Sequence, residues 1–174
     1  LFSYRASATD GKIARANATQ KDFDAGTDNF LNHRDYYFNL GQSQRTNFQG
    51  DILEYIMYTN PLNDAQVIIT ENYLAAKYNL TLDQNDYYSF KTTHSNEVVG
   101  IGREDASNFH TAAQSSVLTI SNASDLDDGE YVFVGHDNLD QSTWTLTDIP
   151  SELDNIQRIA REFRVDITGN PGTI

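Results

Sequence analysis

The chain has 174 residues, with 25 acidic side chains against 12 basic ones and a formal charge of −13 at pH 7. A surface that negative excludes a general nucleic-acid binder, because phosphate recognition needs a clustered positive field. The lack of cysteine excludes disulfides and thiolate chemistry, and no stretch reaches the ~18 consecutive apolar residues of a membrane helix.

The residue choice is that of an extracellular β-protein. There are 18 Asp against 7 Glu, with 16 Asn, 16 Thr, 10 Tyr and 4 Lys. Asp and Asn suit turns through their short hydrogen-bonding side chains, and Thr and Tyr suit half-buried strands. In chain order, alternation and short apolar runs predict strands at Tyr36–Leu40 and Gly50–Tyr58, then a helix over 63–78. Further strands follow at Val98–Ile101, Val117–Ile120, Tyr131–Gly135, Thr143–Leu146 and Gln157–Thr168. Turns are expected at Asp10-Gly11, Asp24-Ala25-Gly26, Asp127-Asp128-Gly129 and Gly169-Asn170-Pro171-Gly172.

The helix carries its own punctuation. Ala65, Ile68, Ile69, Asn72, Tyr73 and Ala76 recur at helical spacing, Asn63 with Gln66 makes a capping box, and Asn79 suits a left-handed C-terminal cap. Its face of Ile68, Ile69 and Tyr73 is expected to pack against strand 50–58. It would thereby couple a region 1–82 to a β-rich region 83–174.

Two acidic turns gather oxygen ligands of the kind calcium takes: Asp22, Asp24 and Asp28 around Gly26, and Asp125, Asp127 and Asp128 around Gly129. Neither has the register of an EF-hand, and a solvated turn explains each as well. Tyr36, Tyr37, Tyr87, Tyr88 and Trp144 are the aromatics available as stacking platforms for a glycan. In each Tyr pair one ring should be core, since neighbours on a strand alternate faces. Arg103 beside Glu104 and Asp105 reads as a loop-fixing ion pair. The four histidines show no H-x-H or H-E-x-x-H spacing and no nucleophile or phosphate-loop motif occurs, so no enzyme is expected.

Residues 38–82 carry a more specific pattern. Phe48, Gly50, Ile52, Glu54, Ile56 and Tyr58 fill a strand motif, and Tyr73, Leu74, Ala75, Lys77, Tyr78, Leu80, Thr81 and Leu82 fill a helix end. Together they resemble the closing segment of LamG-like, concanavalin-A-like jelly-roll domains of large secreted Bacteroidota proteins. The runs Val99–Ser107, Tyr131–Asn138 and Arg158–Val165 resemble the β-rich domain that follows such jelly rolls. The resemblance implies antiparallel β-sandwich elements, secretion, surface display and a non-catalytic structural or adhesive role. Its expected partners are other domains of one long protein, or neighbouring subunits joined by strand addition; the chain would then be a fragment or be completed by donated strands. A glycan-binding module, an accessory domain of a polysaccharide-degrading enzyme and a filament subunit are the alternatives.

Overall fold

A computed structural model describes residues 1–7, 11–25, 49–137, 153 and 156–173, together with the backbone of 144–145. Strands β1 (Phe2–Ser7), β2 (Gly11–Ala16) and β3 (Thr19–Asp24) form an antiparallel meander. The β2–β3 loop consists of Asn17 and Ala18, with φ of 47° and 67°, because a two-residue hairpin loop of this hand needs left-handed backbone at both positions. Glycine would be usual at the second. Ala18 stands there instead with 1% exposure, and its methyl packs with Ala75 and Leu82.

Helix α1 spans Asp64–Tyr78. The capping box forms as expected: Asn63 Oδ1 accepts from the Gln66 N–H at 2.9 Å, and Gln66 Oε1 accepts from the Asn63 N–H at 3.0 Å. Asn79 closes the other end at φ 49°, ψ 52°. The helix start is also tied to a downstream loop, with Asn63 Nδ2 donating to Phe109 O and the Asp64 N–H donating to Asn108 Oδ1.

Eight short strands follow: β4 (Asn96–Arg103), β5 (Phe109–His110), β6 (Ala112–Gln114), β7 (Thr119–Ser121), β8 (Glu130–His136), β9 (Trp144–Thr145), β10 (Arg158–Ile159) and β11 (Phe163–Thr168). The central sheet has the order β11-β8-β4-β5, and every ladder is antiparallel. One face carries Val98, Tyr131 and Phe133, covered by Ala65, Ile68 and Ala76 of α1 and by Tyr88. The other carries Ile101, Val132 and Val134, covered by Ile120, Leu118 and Ala113 of the β6–β7 hairpin. The result is a mainly β fold of antiparallel sheets with a single helix among the described residues, layered as a sandwich.

Gly100 and Gly102 sit directly opposite Phe133 and Tyr131 in the β4–β8 ladder. A methyl at either position would run into those rings. The aromatic side chains thus lie flat over a strip of bare backbone, filling the gap that missing side chains would leave.

Three expectations are corrected. Segment Gly50–Tyr58 forms no ladder, and Ile52, Leu53, Tyr55, Met57 and Tyr58 are exposed; alternation alone makes no strand without a ladder partner to take up the backbone hydrogen bonds. The α1 face of Ile68, Ile69 and Tyr73 packs instead on the β4–β8 sheet. Gln157–Thr168 is not one strand but two, broken at Ala160, because β10 pairs with β9 whereas β11 pairs with β8. The strand expected at Val117–Ile120 is displaced slightly to Thr119–Ser121, and Tyr36–Leu40 lies outside the described residues.

Candidate functional site

A cluster of polar contacts joins α1 to strands β1 and β2. Along β1, Phe2 and Tyr4 face outward while Ser3 and Arg5 face the helix. Arg5 pairs with Asp64 at 2.6 Å and donates to Leu62 O. Arg15 of β2 stands 3.3 Å from Glu71 Oε2, and Ser3 Oγ donates to Glu71 Oε1 at 2.7 Å. Glu71 is 2% exposed, so this one carboxylate sits buried at the junction of three elements.

Burial is the dominant influence on Glu71, and it raises the carboxyl above the usual range despite Ser3 and Arg15. A raised carboxyl means the folded state holds the proton more tightly than the unfolded chain. Its contribution is fully present below the ordinary value of 4.5 and is lost as pH rises through the raised folded value. Glu71→Gln removes this dependence. The stability difference, variant minus wild type, is expected to grow as pH rises above 4.5 in thermal melts; a difference independent of pH would refute the assignment.

Among the described residues, the sequence-predicted acidic turns form no group of three close metal ligands. Tyr88 is fully buried, its hydroxyl donating to His94 O at 2.6 Å, so it offers no face to a sugar. Tyr87 is half-buried and stacks on Tyr131 with ring centroids 4.9 Å apart. Neither residue lies in a strand, so the expected alternation of faces does not arise, and both rings pack into the same core. Trp144 is placed only by its backbone in β9, and Tyr36 and Tyr37 lie outside the described residues.

The acidic turns are committed elsewhere. Asp24 pairs with Lys12 at 3.2 Å, Asp22 Oδ1 accepts from the Phe23 N–H, and Asp28 lies outside the described residues. Asp128 pairs with Arg103 at 2.7 Å; the loop-fixing ion pair of Arg103 therefore exists, but with Asp128 rather than its chain neighbours. Glu104 instead accepts from the Tyr131 hydroxyl, and Asp105 caps the turn at Ser107 and Asn108. Asp125 and Asp127 contribute backbone bonds, to Pro171 O and Glu130 Oε2 respectively.

Among the described residues, a single group of three potential metal ligands comes within 4.8 Å, and it is none of these: His94, Asp137 and Glu162. Their distance along the chain hides them from any motif. Gly135 holds His94 close, because a methyl there would overlap the His94 carbonyl and the Tyr88 hydroxyl.

Fold and contacts define a mainly β protein in which a capped helix and a small hairpin cover opposite faces of one antiparallel sheet. The chain belongs to the family described as Domain of unknown function (DUF8202), whose model matches residues 66–174, from α1 through β11. No curated protein and no solved structure matches it.

Proposed function

We propose that the chain is a non-catalytic structural or adhesive module of a secreted bacterial surface protein, docked to neighbouring domains or subunits through the β11 edge. The supporting observation is that edge. Among the described residues β11 pairs only with β8, and its outer half-face presents Phe163, Val165 and Ile167, each 42–51% exposed. An apolar strand left on a sheet edge is a template for strand addition. The LamG-like reading of residues 38–82, with its implied secretion, belongs to the same proposal.

A double substitution, Val165→Lys with Ile167→Lys, uses the charge by which natural edges are protected from pairing. In cells that export the protein, the wild type should be retained at the surface and the lysine variant released to the medium, with unchanged circular dichroism. Equal retention of both, or wild-type protein found only inside cells, would overturn the reading.

A further inference from the structure

We propose that His94, Asp137 and Glu162 form a binding site for a divalent transition-metal ion of the zinc class, at the end of the sheet where β8 and β11 run out. A ring nitrogen of His94 and one carboxylate oxygen each from Asp137 and Glu162 lie within 4.8 Å of one another. The two acids are placed by the ladder itself. His136 pairs with Phe163, and the next residues out continue the contact: the Asp137 N–H donates to Glu162 O at 3.2 Å, and the Glu162 N–H donates to Asp137 Oδ1 at 2.9 Å. Both Asp137 and Glu162 are exposed residues. Arg164 stands 4.0 Å from Glu162, a loose pair exposed on both partners.

His94 supplies the independent observation. It arrives from a turn in which its N–H donates to Phe90 O at 2.8 Å, its carbonyl accepts from Tyr88, and its ring meets Phe90 edge-on. Nδ1 lies 2.9 Å from Thr93 Oγ1. Among the described residues Nε2 is buried with no hydrogen-bond partner, in a residue only 8% exposed. Buried polar atoms without a partner are rare, and a histidine oriented through one nitrogen with the other left bare is how metal-binding imidazoles are held.

Donor chemistry selects the ion. One imidazole and two carboxylates suit zinc or manganese better than calcium, which takes oxygen ligands alone. Bonds of about 2.0–2.2 Å require only that the two exposed carboxylates swing inward. Three protein ligands leave a fourth position open to water or to a donor from a neighbouring chain. A bound ion would staple the 90–94 turn to the end of the sheet.

The test is calorimetric titration of the metal-free full chain with zinc chloride alone. One ion per chain should bind with micromolar affinity, and Asp137→Asn and Glu162→Gln should each weaken it at least tenfold. Both substitutions are isosteric and lie at exposed positions, so the fold is preserved, and the amide introduced by Asp137→Asn still offers an Oδ1 acceptor to the Glu162 N–H. Absence of binding, affinity unchanged in both variants, or calcium binding as tightly as zinc would each overturn the proposal.

Discussion

Asn72→Asp is expected to destabilise the fold by about 3–5 kcal/mol at neutral pH, the scale of an uncompensated buried charge. Asn72 is 0% exposed and every hydrogen-bonding position of its amide is filled. Nδ2 donates to Ile68 O at 2.9 Å and Asn85 O at 2.8 Å, while Oδ1 accepts from the Tyr87 N–H at 2.9 Å and the Tyr88 N–H at 3.1 Å. Aspartate matches the shape and keeps the acceptor side, but it turns a second oxygen toward two carbonyls. The buried carboxylate must then stay charged against those dipoles or take up a proton, which restores one donor of the two. The loss should accordingly shrink as pH falls from neutral through the raised value of the buried carboxyl, and level off once pH is below the usual carboxylate range. Urea unfolding at pH 7 and pH 4 measures both effects; a loss under 1 kcal/mol at pH 7 would show that the clamp is dispensable.

Asn72 also shows what the sequence reveals and what it hides. Its helical spacing places it on the inward face beside Ile68 and Ala76, but nothing in the spacing says that the amide would hold a loop from beyond the helix. Features whose cause is local were legible: the Asn63–Gln66 box, the left-handed Asn79, the turn at Gly129 and the apolar cores of β4 and β8. Features whose cause lies across the fold were not. The β1–β3 meander reads poorly because its inward residues are polar, and only the presence of Asp64 and Glu71 on α1 makes Ser3, Arg5 and Arg15 suitable there. Conversely, segment 50–58 has the alternation of a strand and lacks the ladder. What it contributes to α1 is a surface tie, Glu54 accepting from Lys77 at 3.0 Å and from the Tyr78 hydroxyl at 2.9 Å. That contact lowers the Glu54 carboxyl, chiefly through Lys77 and then through Tyr78. The metal ligands belong to the second kind too, since a turn and two strand ends meet only when the sheet is complete.

The Gly100–Phe133 pair allows the ring-over-glycine arrangement to be measured directly. Phe133 is 1% exposed, stacks parallel to Tyr131 with centroids 6.1 Å apart, and meets Tyr88 at 6.3 Å. Phe133→Ala should therefore cost about 3–5 kcal/mol through lost burial and the cavity left behind. Gly100→Ala should cost about 2 kcal/mol for the opposite reason, because its methyl would lie 2.6 Å from Phe133 Cε1 in a packed interior. Gly100 does not occupy left-handed backbone, so alanine meets crowding there and not backbone strain. Combined, the two changes relieve each other: the new methyl occupies space the ring has vacated. The double variant should be more stable than the sum of the single losses by about 1–2 kcal/mol, within the range measured for residues in contact. Denaturant unfolding of the four proteins gives this coupling. Costs that simply add, to within about 0.5 kcal/mol, would mean that the ring does not depend on the bare backbone beneath it, and the alternation of glycines along β4 opposite aromatics along β8 would then have another cause.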